Sequence, residues 1–461
     1  METVGLLSLV PPLVAIGLAL VTREIVLSLF VAIFSGAVIH VCHAGGDVVA
    51  TFKVFVDLVS GKMAENMPMV IFLCLLGALV SVVTRAGGAR AYGEWVFRRV
   101  KSERVVNLMT ILMGVIIFID DYFNCLTVGT VMRPVTDKFK ISRAKLAYFI
   151  DTTAAPICIL SPVSSWAAYV ISCLPKELQS EGLGIYLKAA ALNFYAILSI
   201  VFVFWIALKT NADFGLMKRM ERSSHRHRDV GAEVIMREGL EPVPVSNRGK
   251  VIDLVFPILA LIALSGWLLM RYEAGMALAL ASLMALVVTA FFLLIRRVLN
   301  YHQIAAAVLF GIKTMVPALV LLALAWGISA VCTDLLGTGR YIASLIVGFN
   351  AGLTYLPAVL FVLAAIFAFA TGASWGAIGI LVPIAMAVCT AVDPSAAVLA
   401  LSAVLAGSVM GDHCSPISDT SILSSAGAQC KHMNHVMTQM PYALVAGGTS
   451  FIIYIIAGFC L

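Results

Sequence analysis

The sequence predicts an all-α polytopic membrane protein made of two inverted repeats, each with a re-entrant hairpin and a broken transmembrane helix. Three observations predict it: a lipid-facing composition, motifs that recur at nearly one offset, and polar interruptions placed once in each half. Composition comes first. The 461 residues are 61% hydrophobic and only 12% charged, with a mean hydropathy of +1.01. A soluble chain keeps roughly a quarter of its residues charged because its surface meets water. Segments 25–41, 70–83, 254–270, 276–295 and 443–461 approach or reach the roughly 20 residues that cross a bilayer as a helix. The first apolar stretch has Glu2 and no basic residue before it, so a cleavable signal is not expected.

The charges report topology, not a nucleic-acid partner. Lys and Arg gather in 90–104, 138–145 and 209–250, which the positive-inside rule assigns to the cytoplasm. Segment 174–184, with Glu177 and Glu181, falls outside, and alternation then puts the C-terminus outside. The ten cysteines lie mostly in apolar segments with no C-x-x-C pair, and read as small packing residues.

The repeat is carried by spacing. Gly61, Gly77, Gly87 and Arg90 recur 250 positions later as Gly311, Gly327, Gly337 and Arg340. Pro134 recurs as Pro383, and Ser161-Pro-Val-Ser164 as Ser415-Pro-Ile-Ser418. Glycine alone would be weak support; a shared offset across Gly, Arg, Pro and a Ser-Pro motif indicates duplication. Arg340 at the outer surface violates the basic-residue bias, as an inverted copy would. The expected organisation is an N-terminal transmembrane helix (1–21), a first repeat (22–208), a solvated cytoplasmic linker (209–250), a connecting transmembrane helix (251–273) and a second repeat (274–461). Inverted repeats meeting at the midplane are typical of secondary transporters.

Each half contains two interruptions. The first is an apolar arm, a polar tip and a second arm: 105–119, 120–127 and 128–135, then 356–369, 370–376 and 377–388. Both read as re-entrant hairpins, with full spans bearing a polar patch as the alternative. The second interruption is the Ser-Pro motif inside 146–170 and 396–423. Proline removes a backbone donor, and non-helical backbone at membrane depth survives only against protein or a wet cavity.

Ionisable residues at that depth default to function. Asp120, Asp121, Asp151, Asp412, His413 and Asp419 all fall in or beside the breaks, with Arg133 the nearest basic residue. Unpaired buried carboxylates need cations or bound protons to balance them, which suits exchange of one for the other. Asn124, Thr127, Thr152, Thr153, Ser161, Ser164, Ser165, Thr371, Ser374, Ser415, Ser418 and Thr420 offer the oxygens that hard cations prefer. No resident cofactor is expected, and no transition metal: Asp412, His413 and Cys414 are consecutive and do not easily converge on one ion. His432 and His435 read as the face of an interfacial helix, and Trp166 and Trp375 as packing residues. Neither an H-E-x-x-H motif nor a G-x-S-x-G elbow is present to suggest an intramembrane enzyme.

At these residues the sequence resembles the NhaC family of sodium/proton antiporters, within the wider ion-transporter superfamily. The motifs are Phe118-Ile-Asp-Asp-Tyr-Phe-Asn124, Ser161-Pro-Val-Ser-Ser-Trp166 and, most specifically, Gly411-Asp-His-Cys-Ser-Pro-Ile-Ser-Asp-Thr-Ser-Ile-Leu-Ser-Ser425, continued by His435-Val-Met-Thr-Gln-Met-Pro-Tyr442. The resemblance implies Na+ and H+ as transported ions and a multi-pass protein of the bacterial cytoplasmic membrane. It also implies a homodimer built on a scaffold domain, and a second domain holding both hairpins that moves like an elevator. The family includes members that exchange organic acids, so coupled movement of a small organic acid or amino acid stands as the alternative.

Overall fold

The structure, a computed structural model, describes residues 5–22, 24–209, 212–226, 245–338, 341, 353–416 and 418–460. Arg340, half of one repeated pair, lies outside them. Every regular element among the described residues is helical. The first eight long helices are α1 (Val10–Thr22), α2 (Ile25–His43), α3 (Val48–Glu65), α4 (Met67–Ala86), α5 (Gly88–Arg99), α6 (Glu103–Ile116), α7 (Asp121–Lys138) and α8 (Arg143–Leu160). Then come α9 (Ser165–Cys173), α10 (Lys176–Gln179), α11 (Gly182–Ala191), α12 (Phe194–Leu208), α13 (Gly215–Arg226), α14 (Ile252–Leu269), α15 (Ala274–Ile295) and α16 (Tyr301–Ala330). The last five are α17 (Leu356–Thr371), α18 (Ser374–Val392), α19 (Ala397–Cys414), α20 (Asp419–Ala428) and α21 (His432–Gly458).

Among the described residues nine helices are long and apolar enough to cross a membrane, or eleven if each of two bent pairs counts as one span. One bent pair is α8 with α9, angled by 49° at the Ser-Pro motif foreseen from sequence. The other, α11 with α12, is also bent by 49°. It turns at Leu192 and Asn193, where the Asn193 side chain caps α12 by accepting from Ala196 N. No proline or carboxylate marks that bend, and it was not expected.

Both polar interruptions are shorter than expected, and the first falls earlier. The first polar tip was placed at 120–127, but α7 is helical from Asp121 and the non-helical stretch is 117–120. Asp120 explains the shift, because its carboxylate accepts from Phe123 N at 3.0 Å and so starts the helix as an N-cap. In the second half the interruption narrows to Gly372 and Ala373, and the flanking α17 and α18 are each part of a span-length apolar segment.

Packing divides the helices into two groups. In one, α4 packs on α15 and α16, α14 on α15, and α2 and α3 on α16. Gly77 of α4 and Gly311 of α16 meet so closely that a Cβ on either would strike the other's backbone. In the other group, α17 packs on α19, α20 on α7 and α8, and α12 and α19 on α21. The groups meet where α16 contacts α18 and α4 contacts α9. Helices α8 and α19 are buried on nearly every side, as expected of helices surrounded by protein rather than lipid.

The linker is not wholly solvated. Its helix α13 docks on α8 and α21 and buries Met217. Lys145 of α8, fully buried, pairs with Asp213 at 2.9 Å, and Ser142 N donates to Glu221 at 2.9 Å. Of the linker's histidines, the side chain of His225 and the whole of His227 lie outside the described residues.

Candidate functional site

The two Ser-Pro motifs have one local design. Ser161 and Ser415 are the C-cap residues that end α8 and α19. A proline follows each, unable to continue the helix. Ser164 and Ser418 are the N-caps that start α9 and α20, accepting from Ala167 N at 3.1 Å and Ser421 N at 3.2 Å. The motif therefore reads as stop, proline, spacer, start.

Helix starts then converge. Ser165, opening α9, donates its hydroxyl to Asp120 at 3.2 Å, and its N–H to Ile119 O at 3.0 Å. Tyr122, in the first turn of α7, donates to Asp419 at the start of α20 at 3.0 Å. Trp166 of α9 and Trp375 of α18 touch edge to face with ring centroids 6.1 Å apart, and Tyr169 donates to Trp375 O at 2.6 Å. The N-terminal ends of α7, α9, α18 and α20 thus surround one region, and such ends carry partial positive charge. Asp120, Asp121 and Asp419 sit in those first turns or caps, all three within the protein.

The remaining carboxylates come from α8 and α19. Asp412, buried, accepts from Thr420 at 3.1 Å, and Thr420 lies 3.1 Å from the Ser418 hydroxyl. Asp151 is fully buried, and one of its oxygens takes three donors: Gln439 at 2.6 Å, Ser421 at 2.9 Å and His435 at 3.2 Å. The other oxygen has no protein partner. Pro156, one turn along, has no N–H to offer the carbonyl of Thr152. No Lys or Arg pairs with Asp120, Asp121, Asp151 or Asp412 among the described residues.

Several expected oxygens serve the scaffold. Asn124 spreads its amide over Gly114 O, Ile117 O and Thr153 O at 2.8–3.0 Å, clamping the α6–α7 turn against α8. Its own oxygen is buried without a partner. Ser161 bonds within its turn, Ser164 also donates to Cys158 O at 2.7 Å, and Thr371 and Ser374 bond to Phe367 O and Ser408 O. Thr127, Thr152 and Ser415 are buried. Asp412, His413 and Cys414 diverge: Asp412 meets Thr420, while His413 Nδ1 lies 2.9 Å from the Tyr195 hydroxyl.

The histidines of α21 correct the interfacial expectation. His435 is fully buried on Asp151. His432 holds the break itself, with Nε2 at 2.6 Å from Pro416 O and Nδ1 at 3.0 Å from Ser425. Gln439 also reaches His413 O at 3.0 Å. His432, His435, Gln439 and Tyr442 lie at helical spacing on one face, and a polar stripe in an otherwise apolar span is the signal that could have found them. Beside this stripe is a small cavity, with about 10 Å³ for the centre of a water, room for about one molecule. Thr152, Ser199, His413 and Gln439 line it, and His413 Nε2 and Gln439 Oε1 have no protein partner.

One helix crossing at the site depends on glycine. Helices α7 and α20 cross at Gly129 and Gly427, where a Cβ on Gly129 would sit 2.6 Å from the Cα of Gly427. This contact lets the Asp121 and Asp419 ends of the two helices come together.

Buried carboxylates at broken helices, inside a multi-pass apolar bundle, define a secondary active transporter of a small ion or molecule. The chain belongs to the Na+/H+ antiporter family, whose profile it matches over residues 176–459; it is a membrane transporter and not an enzyme. It is 37% identical over 482 residues to a protein of Haemophilus influenzae described only as uncharacterized, covering 98% of this chain and 91% of that one. Among solved structures it is similar to the YdaH transporter of Alcanivorax borkumensis, with a TM-score of 0.59 and 14% identity over 90% of each chain. That likeness is one of fold. MtrF of Neisseria gonorrhoeae aligns with a TM-score of 0.47 and 14% identity, over 90% of this chain and 84% of that one.

Proposed function

We propose that the protein exchanges Na+ for H+ across the bilayer, with Asp121, Asp151, Asp412 and Asp419 as the site where cation and proton compete. Asp120 and Asn124 hold the first tip beside them, and Ser164, Ser418 and the tip carbonyls complete the cation's oxygen shell. The observation that carries this reading is the gathering of carboxylates from both halves with hydroxyls, and without a Lys or Arg paired to Asp120, Asp121, Asp151 or Asp412 among the described residues: Tyr122 on Asp419, Ser165 on Asp120, Thr420 on Asp412 and Ser421 on Asp151. Such a cluster is balanced only by cations or protons.

The reading includes two inverted repeats, 22–208 and 274–461, joined by the linker 209–250 and the span 251–273, after a first helix at 1–21. It is supported by helix starts that recur in order: Asp121 with Ser374, Arg143 with Ala397, Ser165 with Asp419. Each half would supply a re-entrant hairpin, α6 with α7 and α17 with α18. The group α6–α9 with α17–α20 would move, elevator-like, against α2–α4 and α14–α16, the latter group pairing two subunits.

Proteoliposomes acidified inside are expected to take up Na+, and Asp→Asn at 121, 151, 412 or 419 to abolish uptake. Undiminished uptake in all four variants would sink the site. A second reading, coupled movement of a small organic acid or amino acid, is favoured by the four helix N-termini, which can neutralise a carboxylate without a basic side chain. A thermal-shift screen of organic acids with and without Na+ separates the two.

A further inference from the structure

Away from the carboxylates, the molecule has a surface cavity of about 620 Å³. Its walls are the returning end of the linker at Ser246, Asn247 and Arg248, the end of α15 at Arg297, and the start of α16 at Asn300 and Gln303. Among the described residues no Asp or Glu lines it. Arg297 ends α15 in the left-handed conformation, with φ 54°, and Arg248 donates to its carbonyl at 3.3 Å. That bond brings the two basic residues to one wall. Both are exposed, and neither has an acidic partner among the described residues. Two more guanidinium groups stand behind the lining: Arg90, which also pairs with Glu94 at 3.7 Å, donates to Asn247 at 2.6 Å, and Arg85 donates to Gln303 O at 2.9 Å. Arg296, next in sequence, is taken by Asp253. The positive end of the 30-residue helix α16 adds to the same field.

We propose that this cavity binds the phosphate of an anionic phospholipid. The phosphate chemistry follows from the guanidinium pair, which can grip phosphate oxygens in a bidentate manner. The lipid source follows from the exposed apolar side chains that line the cavity and adjoin it along α15. Leu294 and Tyr301 line the cavity and are 39% and 68% exposed, and Phe291 and Ile295, beside Leu294 on α15, are 65% and 64% exposed, an apolar surface that suits acyl chains. A soluble phosphate compound would use only the polar half. Basic pockets between transmembrane helices at the headgroup level recognise such lipids.

The test uses the full chain in mild detergent. Its melting temperature is followed on adding phosphatidylglycerol, phosphatidylcholine, inorganic phosphate or ATP, and lipid retained on the protein is read by native mass spectrometry. Wild-type protein is expected to be stabilised by phosphatidylglycerol far more than by phosphatidylcholine, and not by the soluble phosphates. The Arg248→Gln/Arg297→Gln protein should bind phosphatidylglycerol about 10- to 30-fold more weakly, whereas Lys101→Gln/Arg104→Gln, at the start of α6, should match wild type. If the double variant fails to fold, each single variant is read by retained lipid alone. Equal retention in wild type and variants, or equal stabilisation by both lipids, overturns the proposal. Stabilisation by phosphate or ATP as large as by phosphatidylglycerol overturns the lipid assignment.

Discussion

Gln439 donates its amide to acceptors on two different helices, the Asp151 carboxylate and the His413 carbonyl, so its loss is felt twice. Replacing it by Leu keeps the bulk and leaves both acceptors short of a donor in a buried setting. The Gln439→Leu protein is expected to be less stable by about 1–3 kcal/mol, read as a lower melting temperature in detergent, and to transport more slowly because Asp151 is less firmly held. Unchanged melting would mean the amide is replaceable by water from the adjacent cavity. The carboxylates were legible in the sequence because charge at membrane depth is conspicuous in a chain with so few charged residues. Gln439 and His435 were not, because each lies in a segment that also reads as an interfacial helix, and only the fold shows that α21 turns that face onto α8. Ser164 and Thr371 were legible as polar atoms at the breaks, yet both bond to backbone, a distinction that composition does not make.

Between elements, the tightest constraint at the site is the crossing of α7 and α20 at Gly129 and Gly427. Adding one methyl at Gly427 places it 2.7 Å from the Cys125 carbonyl, and backbone cannot rotate aside as a side chain can. Gly427→Ala is expected to destabilise by about 1–3 kcal/mol and to impair transport by spreading the Asp121 and Asp419 helix ends. Gly266→Ala, whose methyl would meet nothing within 4 Å, serves as the control that should melt like wild type. A second element-level expectation concerns the linker helix α13, outside the spanning segments. Burial pushes the Glu221 carboxyl above its ordinary value of 4.5, against the smaller opposing pull of Lys145 and of the Ser142 N–H. A raised acid favours the protonated, docked form. The contribution of Glu221 to docking is therefore full below the free value and is lost as pH rises through the raised one. Hydrogen exchange over 215–226, corrected for its intrinsic pH dependence, should show α13 opening more readily as pH climbs through that window. Glu221→Gln should flatten the trend; an identical trend in that variant would assign it to another group. This docking was illegible in the sequence, because the linker's many charges hide Met217 and Asp213 among them.

At the scale of the molecule, the question is whether the two groups of helices move against each other. The α8–α9 break could be read from Ser161-Pro-Val-Ser164, whereas the grouping could not, since it is decided by which faces pack. Two neighbouring ion pairs permit a matched test. Lys176, just after α9, meets Glu65 of α3 at 2.7 Å and so joins the proposed moving group to the scaffold. Lys62 of α3 meets Asp334 at 2.9 Å, just beyond α16, wholly on the scaffold side. In a background without the exposed Cys42 and Cys460, Glu65→Cys/Lys176→Cys and Lys62→Cys/Asp334→Cys would each be linked by a short bifunctional thiol reagent. Sliding of one group past the other must stretch the first link and leave the second unstrained. Cross-linking across 65 and 176 is expected to reduce Na+ uptake by about tenfold or more, with recovery on cleaving the linker, while the 62–334 link leaves uptake near that of unlinked protein. Full transport with the first link closed would exclude relative movement at that seam and leave local opening of the hairpin tips as the route of alternating access.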